Sequence, residues 1–371
     1  MTVPPGHPAV DYAAFGGLRV ALVHDWLVTL RGGERVLDAF CELFPDATLH
    51  TLIRVPGCAT PRIEAMAHVS SFADRLPGAH RRHRWLLPFY PTAIEALDLQ
   101  DYDLILSSSH CVAKGVIPAP GAVHVCYSHT PVRYAWDRTA DYIRGSGPLV
   151  AAARPALQMA AAWLRHFDAS TLPRVDHFLA NSHNTAGKIL RFYGRPAEVV
   201  APPVELDLFG GTPRGAGDYD LVLGALVPYK RADLAIEAFR MMPDRRLVVV
   251  GGGPEYDRLA RNLPANVEMV GRVPEADLPR WYAGARALLF PGEEDFGIVP
   301  LEAQACGTPV IAFGRGGALE SVVEGKTGMF FHECTADALA AAVSAFDGLQ
   351  IHEQACRDNA ALFGRKGFIA R

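Results

Sequence analysis

The sequence predicts an α/β protein with two doubly wound domains in tandem, each a parallel sheet with helices on both faces. Short runs rich in β-branched residues alternate with amphipathic stretches along most of the 371 residues, a pattern typical of such sheets. A segment rich in Pro and Gly interrupts the pattern between residues 202 and 217, and the alternation then restarts. The chain is long enough for each half to bury a core of its own.

Ten runs are predicted as strands, five on each side of this segment. Those before it are Leu18–His24, Ala47–Ile53, Tyr102–Ser107, Val123–Ser128 and Asp176–Ala180. Those after it are Leu221–Leu226, Arg246–Val250, Val267–Val270, Ala287–Phe290 and Pro309–Phe313. A helix is predicted after the first strand, because Val36, Phe40 and Phe44 recur at helical spacing before Pro45.

These patterns divide the chain into five segments. They are a disordered tail at residues 1–17, an N-terminal domain at 18–205, a linker at 206–217, a C-terminal domain at 218–350, and a C-terminal helix at 351–371 that packs back toward the N-terminal domain. Ligands of doubly wound sheets bind at the carboxyl ends of the strands, so two such domains predict a ligand cleft between them.

The composition is that of a soluble globular enzyme, with 50% hydrophobic and 20% charged residues. A formal net charge of -4 gives no positive field for nucleic acid, so we expect no nucleic-acid partner. The seven cysteines lack any C-x-x-C spacing, which favours reduced thiols over a disulfide framework. We find no signal peptide and no apolar stretch of the roughly 18–20 residues that a spanning helix needs. A cytoplasmic protein is therefore expected.

The densest group of chemically capable residues is EEDFGIVPLE, residues 293–302, which follows a predicted strand. A helix is expected to begin near Ile298, because Pro300 suits a first turn and Gly307 suits a helix end. The backbone N–H groups of Phe296, Gly297 and Ile298 would then lie at the positive end of the helix dipole. That arrangement suits an anionic phosphate.

Two carboxylates flank this helix start. Glu302 lies about one turn inside the helix, where it can reach a hydroxyl pair such as a ribose, and Glu294 in the loop can accept hydrogen bonds from sugar hydroxyls. A single acidic residue at such a place often serves only the dipole. The whole stretch, with a second glycine-rich turn at Gly314–Gly317, favours the binding function.

The spacing of these residues resembles the retaining family-4 glycosyltransferases (glycosyl transferases group 1) of the GT-B fold. The resemblance covers nearly all of residues 18–350 and rests on Glu294-x7-Glu302 with Phe296-Gly297, Gly307-x-Pro309-Val310, Gly316-Gly317, Asn181-Ser182, Pro203-Val204-Glu205, Gly252-Gly253-Pro254-Glu255 and Asn266-Val267 up to Gly271. It implies two Rossmann-like domains that face a central cleft, the first for the acceptor and the second for the nucleotide sugar. It also implies that Glu302 holds the donor ribose and that Glu294 contacts the transferred sugar.

A nucleoside diphosphate leaving group needs positive charge near the bond that breaks. Lys230 and Arg231 stand at a predicted strand-to-helix junction, and we predict that they bind the diphosphate, although two solvated helix residues would give the same local sequence. The resembled family usually carries an Arg five residues before that Lys, where this chain has Ala225. Arg231 or an N-terminal arginine such as Arg31 is the expected substitute.

In the N-terminal half, Gly32 and Gly33 open the predicted helix and allow close approach of a phosphate or an acceptor. The resembled family has a similar Gly-Gly-x-Glu turn, and a tight connection alone is the alternative. His129 follows the strand Val123–Ser128, and the resemblance implies that it contacts the donor sugar. His124 lies within that strand, so we expect it to pack in the core.

We expect neither a metal nor a cofactor apart from the nucleotide sugar as co-substrate. Two Asp-x-Asp triplets, residues 101–103 and 218–220, each precede a predicted strand. A metal that binds substrate in this architecture belongs at the opposite ends of the strands.

Residues 80–90, HRRHRWLLPFY, combine cationic and aromatic side chains. They form either a solvated basic turn beside a hydrophobic anchor, or a surface for anionic lipid or a diphosphate-linked lipid acceptor. The Ala-rich stretch 147–168, broken by Pro155, is predicted as a kinked helix that is either buried or adds to that surface.

The resemblance, together with these residues, implies a retaining, metal-independent hexosyltransferase. It would move a hexose, with mannose favoured, from a GDP- or UDP-hexose to a glycan or polyprenyl-diphosphate-linked acceptor in bacterial polysaccharide synthesis, at the inner face of the cell membrane. A non-catalytic partner subunit of the same fold is the alternative that Ala225 supports. A dinucleotide-dependent oxidoreductase is suggested by Gly251-Gly-Gly-Pro, but the third glycine of the G-x-G-x-x-G fingerprint falls at Tyr256.

Overall fold

The computed structural model describes residues 16–30, 32–137, 139, 148–215 and 217–371. The chain divides into two compact units between Pro202 and Pro203. The N-terminal unit contains the described residues up to Pro202 together with Phe368–Arg371, and the C-terminal unit is Pro203–Gly367. The segment 206–217 lies within the C-terminal unit, where Arg214 donates hydrogen bonds to the carbonyls of Ala283 and Ala285.

The N-terminal unit is built on a parallel sheet. Its strands are β1 Val20–Leu27, β2 Thr48–Arg54, β3 Ala67–Ser70, β4 Leu104–Ser109, β5 Val123–Ser128, β6 His177–Ala180 and β7 Glu198–Val199. Their order in the sheet is β3-β2-β1-β4-β5-β6-β7, and each of these pairings is parallel. The chain reverses its winding direction between β1 and β4, and such a switch point opens a crevice at the carboxyl ends of the strands.

The C-terminal unit repeats this design. Its strands are β8 Tyr219–Leu223, β9 Leu247–Val250, β10 Val267–Gly271, β11 Ala285–Phe290, β12 Val310–Phe313 and β13 Gly328–Phe331. The order is β10-β9-β8-β11-β12-β13, again with parallel pairings throughout. The switch point here lies between β8 and β11.

All ten predicted strands are present, with ends displaced by at most three residues. Three strands were not predicted, namely β3, β7 and β13. Each forms the outer edge of a sheet and has only two to four residues. An edge strand that is so short does not carry the continuous apolar run by which a buried parallel strand is identified.

Helices cover both sheets and connect the parallel strands. The α-helices of the N-terminal unit are Gly32–Leu43, Pro61–Ala65, Ala79–Arg82, Tyr90–Glu95, Pro148–Ser170 and His183–Tyr193. Those that follow are Leu206–Phe209, Ala232–Arg240, Tyr256–Leu259, Leu278–Gly284, Val299–Ala305, Ala318–Ser321, Ala336–Ala345, Glu353–Ala361 and Arg365–Ala370. None of the helices among the described residues is both long and apolar enough to cross a bilayer.

The helix Gly32–Leu43 illustrates how the core forms. Val36, Leu37 and Phe40 share one face of this helix and are buried among the apolar side chains of β1 and β2. Phe368, near the end of the chain, joins the same cluster and packs against Phe40 and Tyr127, with ring centroids 5.8 and 6.0 Å apart. The C-terminal segment 351–371 thus forms two helices, and its last four residues belong to the N-terminal unit.

Candidate active site

The acidic loop lies at the carboxyl end of β11, next to the switch point of the C-terminal sheet. The helix that follows is Val299–Ala305, with Pro300 in its first turn, as predicted. Gly297 has φ +79°, and a Cβ there would lie 2.7 Å from the ring of Phe290. Only glycine adopts this conformation readily, so Gly297 allows the chain to turn from strand to helix. Gly307 at φ +81° ends the helix, and its N–H donates to the Gln304 carbonyl at 2.8 Å.

The second glycine turn supports this loop. The N–H of Gly317 donates to the carbonyl of Glu294 at 2.9 Å. A Cβ on Gly316 would lie 2.4 Å from that carbonyl oxygen, and a Cβ on Gly317 would lie 2.2 Å from the carbonyl oxygen of Phe296. The Gly-Gly pair therefore permits the loop after β12 to pack directly on the loop that carries Glu294.

Glu302 is oriented by a buried tyrosine. The hydroxyl of Tyr282 donates to Glu302 Oε2 at 2.6 Å. Tyr282 is completely buried, and this burial, with the nearby Glu302 carboxylate, raises the pKa of its phenol well above the usual range. The phenol therefore stays protonated and fixes one oxygen of the carboxylate.

Glu294 and Lys230 form an ion pair. Lys230 Nζ lies 2.8 Å from Glu294 Oε1, and the two side chains are only 19% and 14% exposed. Lys230 ends the 3-10 turn Pro228–Lys230 after β8, so two neighbouring loops of the sheet bring these groups together. Because this pair is shielded from water, the loss of one member would leave a costly uncompensated charge on the other.

Arg231 faces other partners. It has a left-handed backbone conformation (φ 53°), which is uncommon for a residue with a side chain. Its Nε donates to Asp233 at 3.1 Å, and its Nη1 donates to Cys334 Sγ at 2.9 Å. The hydrogen bond to Asp233 raises the pKa of the guanidinium. Asp233 thus already pairs with the Arg231 guanidinium, which the sequence analysis assigned to the diphosphate.

The sequence analysis assigned no role to Arg272, which lies at the same carboxyl end of the C-terminal sheet. It follows Gly271 at the end of β10, and its side chain crosses Gly252, where a Cβ would lie 2.7 Å from Cγ and Nε of Arg272. Among the described residues its guanidinium has no hydrogen bond or ion pair. The run Gly251–Gly253 fails as a dinucleotide fingerprint, but it is the sequence signal that could have drawn attention to the loops around Arg272.

In the N-terminal unit, His129 directly follows β5. Its Nε2 lies 2.8 Å from Ser108 Oγ, and its backbone carbonyl accepts a hydrogen bond from Asn181 Nδ2 at 2.9 Å. Gly33 lies beside it, since a Cβ on Gly33 would be 3.6 Å from His129 Nε2. The structure therefore brings Gly33 and His129 together, with Gly32 in the same first helical turn. Arg31, the other expected substitute for Ala225, lies outside the described residues.

Asp25 holds the neighbouring loop in place, which the sequence did not predict. This fully buried carboxylate accepts hydrogen bonds of 2.7–2.9 Å from four consecutive backbone N–H groups, those of residues 110–113. It also lies 3.2 Å from His110 Nδ1. Asp25 and the loop after β4 are about 85 residues apart in the chain, so no local pattern links them.

Replacing Asp25 with alanine is expected to lower the free energy of unfolding by at least about 3 kcal/mol, because four buried N–H groups would lose their acceptor. Chemical denaturation of Asp25→Ala beside the exposed Asp46→Ala as a matched control measures the difference. Equal midpoints for the two variants would show that the buried carboxylate contributes nothing to stability.

Two further polar side chains have structural partners. His124 is fully buried and bonds Ser107 Oγ and the Arg174 carbonyl, as expected for a core histidine. Trp136 donates to Asp168 at 2.7 Å and stacks on Phe192.

Both Asp-x-Asp triplets lie at the amino ends of strands: residues 101–103 directly precede β4, whereas Tyr219 and Asp220 are the first residues of β8. Asp103 binds Arg19, and the buried Asp220 binds Arg286. Within the described residues there is no group of three or more His, Cys, Asp or Glu side chains arranged to hold a metal ion.

The basic segment presents aromatic side chains to solvent. Trp85 is 81% exposed and Phe89 is 53% exposed, whereas Tyr90 is buried beside Trp26. On the helix Pro148–Ser170, Met159 and Trp163 are also exposed.

The family Glycosyl transferases group 1 matches residues 216–363, and Glycosyltransferase Family 4 matches residues 30–208. The chain belongs to these glycosyltransferases. The matches cover the N-terminal sheet from β2 to β7 and the whole C-terminal sheet, and the architecture is the GT-B fold.

Two curated relatives indicate the chemistry of similar proteins. D-inositol 3-phosphate glycosyltransferase of Kribbella flavida is 36% identical over an alignment of 202 positions, which covers 45% of this chain and 48% of that protein. GDP-mannose-dependent alpha-(1-6)-phosphatidylinositol monomannoside mannosyltransferase of Mycolicibacterium smegmatis is 34% identical over an alignment of 192 positions, which covers 44% of this chain and 50% of that protein. The matches thus span about half the length of these relatives.

Solved structures share the fold at low identity. HepE of Anabaena, in complex with UDP and glucose, aligns over 95% of this chain and 97% of its own with a TM-score of 0.68 and 16% identity. Sucrose-phosphate synthase from Thermosynechococcus elongatus aligns over 95% and 96% with a TM-score of 0.68 and 18% identity. At such identities the likeness establishes the architecture alone.

Proposed function

We propose that this glycosyltransferase is a retaining, metal-independent hexosyltransferase. It transfers a hexose, with mannose favoured, from GDP- or UDP-hexose to a glycan or polyprenyl-diphosphate-linked acceptor in bacterial polysaccharide biosynthesis. The observation that carries this proposal is the shielded Lys230–Glu294 ion pair at the carboxyl edge of the C-terminal sheet. A relative named for GDP-mannose and a fold neighbour that binds UDP and glucose support the two donor types.

In the C-terminal unit, each group has a distinct task. The ribose binds the carboxylate of Glu302, which Tyr282 already orients. The diphosphate binds Lys230 and the backbone N–H groups of Phe296, Gly297 and Ile298. Glu294 accepts hydrogen bonds from hydroxyls of the transferred sugar, and a donor that enters between the paired side chains contacts both charges.

The reaction breaks the bond between the anomeric carbon and the diphosphate, and the acceptor hydroxyl attacks from the face that the diphosphate leaves. Positive charge on the leaving group and hydrogen bonds to an oxocarbenium-like sugar lower the barrier. In this proposal, His129 of the N-terminal unit contacts the transferred sugar. The departing diphosphate oxygen can take up the proton of the acceptor, so the proposal assigns no protein base.

Arg272 replaces the arginine that is missing at Ala225. Its guanidinium lies over Gly252 without a described partner, whereas Arg231 is engaged with Asp233. A guanidinium can bind two phosphate oxygens at once, which makes it well suited to a diphosphate. The Arg272 side chain is thus the better candidate for the second cationic contact.

Arg272→Ala is expected to weaken binding of the nucleoside diphosphate by about tenfold, the loss of one charge-assisted hydrogen bond of roughly 1.5 kcal/mol. Calorimetric titration with GDP and UDP measures the change. Arg261→Ala removes another exposed arginine of the same unit and serves as the control. Unchanged affinity in Arg272→Ala would mean that Arg231, or no arginine at all, supplies the second cationic contact to the diphosphate.

Peripheral contact with the cytoplasmic face of the membrane is part of the proposal. The exposed Trp85 and Phe89 stand among cationic residues, a combination suited to anionic lipid headgroups or a lipid-linked diphosphate.

The proposal is tested by thermal unfolding across GDP-, UDP-, ADP- and dTDP-sugars, with and without EDTA. A donor present at 100 times its dissociation constant adds about 2.7 kcal/mol to the folded state, so a clear rise in Tm is expected for a GDP- or UDP-hexose. The rise should persist in EDTA. If no donor raises Tm, the enzyme assignment is contradicted; if a donor binds without any turnover, the non-catalytic alternative is correct.

A further inference from the structure

A buried chain of hydrogen bonds ends on His129. His24 in β1 and Ser108 in β4 are both completely buried and lie side by side in the sheet register. His24 Nδ1 is 3.1 Å from Ser108 Oγ, and Ser108 Oγ is 2.8 Å from His129 Nε2. The serine hydroxyl therefore links the two imidazole rings.

With neutral rings, the serine hydroxyl can donate to one ring and accept from the other in two ways, and in a third arrangement its two lone pairs accept from both rings. In the first, His24 Nδ1–H donates to Ser108, and Ser108 donates to His129 Nε2. In the second, His129 Nε2–H donates to Ser108, and Ser108 donates to His24 Nδ1. If His24 Nδ1 carries no hydrogen, the hydroxyl must donate to it, and His129 Nε2 must then carry the hydrogen that Ser108 accepts.

Glu34 distinguishes among these arrangements of hydrogens. The second nitrogen of His24, Nε2, is buried without a hydrogen-bond partner among the described residues, and Glu34 Oε1 lies 4.0 Å away. A carboxylate at this distance attracts an N–H and repels a nitrogen lone pair. This contact favours hydrogen on His24 Nε2, which leaves His24 Nδ1 bare and gives the second arrangement.

Both rings remain neutral at ordinary pH. Burial, followed by the nearby His110, lowers the pKa of His24 to about 4 and the pKa of His129 well below its usual range. His110 lies within 6.3 Å of both rings by centroid distance, and Arg133 also opposes a charge on His129. The position of the hydrogen, and not the charge, is therefore what the surroundings control.

We propose that Glu34, His24 and Ser108 are positioning residues that hold His129 protonated at Nε2, so that its bare Nδ1 accepts a hydrogen bond from a hydroxyl of the transferred sugar. The proposal rests on the function proposed above for His129. A hydroxyl that donates a hydrogen bond gains electron density on its oxygen, and this favours the positive charge that develops on the sugar. The opposite tautomer would donate to the sugar and oppose that charge.

Nitrogen NMR of the free protein, labelled with 15N in histidine, tests the tautomer without any need for activity. Protonated and bare ring nitrogens have well-separated shifts, and His24→Asn and His129→Asn identify the two rings. His129 is expected to carry hydrogen at Nε2 in the wild type and to become a tautomer mixture in Ser108→Ala. A bare His129 Nε2, or a tautomer unaffected by Ser108→Ala, would overturn the proposal.

Kinetics tests the consequence for transfer. Ser108→Ala and His24→Leu are expected to lower kcat on the order of tenfold with a smaller change in the donor KM, because His129 stays in place but is wrongly oriented. His24→Asn keeps an acceptor near the position of Nδ1 and should retain more activity than His24→Leu. The exposed His177→Leu in the same unit is the control.

The two proposals fail in different ways. A protein with the expected His129 tautomer but no turnover of any donor contradicts the proposed function. An active enzyme with the opposite tautomer, or with equal activity in His24→Asn and His24→Leu, contradicts the positioning role alone.

Discussion

Replacing Lys230 with alanine is expected to lower kcat/KM by about 10²–10³-fold, the cost typical of removing one preorganised group that stabilises developing charge. Lys230 forms an ion pair with Glu294. In the proposed reaction, the negative charge that develops on the leaving diphosphate lies next to the Lys230 ammonium. Binding of the free nucleoside diphosphate should weaken as well. Steady-state kinetics with the best donor and titration with GDP or UDP measure the two effects.

The exposed Lys326→Ala in the same unit provides a matched control for the loss of one lysine. Lys230→Arg keeps the charge and should recover part of the activity. If Lys230→Ala is folded and turns over at the wild-type rate, the diphosphate does not lie at this end of the sheet.

Glu294→Gln is expected to lower kcat by about 10²-fold without weakening the binding of free nucleoside diphosphate. The substitution preserves the shape of the side chain but removes its charge, so it affects the developing positive charge on the sugar and not the nucleotide. Glu294 and Lys230 variants should thus differ in the binding of GDP or UDP although both lose turnover.

The exposed Glu333→Gln is the corresponding control. A Glu294→Gln variant that loses nucleotide affinity and retains kcat would mean that the carboxylate contacts the nucleotide instead of the sugar.

The strands and the acidic loop could be predicted from the sequence because each depends on neighbouring residues. The run Ala285–Phe290, the turn at Gly297 and the helix with Pro300 follow one another directly. Local propensity and chain punctuation are sufficient for such a unit.

Other parts of the site depend on residues that are distant in the chain. Tyr282 orients Glu302 from a preceding helix, and Asp25 binds N–H groups about 85 residues away. Ser108 joins His24 to His129 only because β1 and β4 are neighbours in the sheet. Register and packing create these contacts, and no spacing in the sequence encodes them.

The basic residues illustrate both situations. Lys230 was predicted from its place at a strand end, and the structure adds its partner Glu294. Arg231 was given the same task because it is adjacent in sequence, but its left-handed backbone and Asp233 direct its side chain elsewhere. Arg272 reaches this neighbourhood from β10, so only the strand order could reveal it.

Release of nucleoside diphosphate from the stabilising donor tests the central claim most directly. Purified protein is incubated with that nucleotide sugar and an acceptor fraction of bacterial glycolipid, and the released GDP or UDP is quantified for the wild type, Lys230→Ala and Lys326→Ala. We predict release by the wild type and by Lys326→Ala, with a rate at least about 10²-fold lower in Lys230→Ala. No release by the wild type, or equal release by Lys230→Ala, would contradict a glycosyl transfer site built on Lys230 and Glu294.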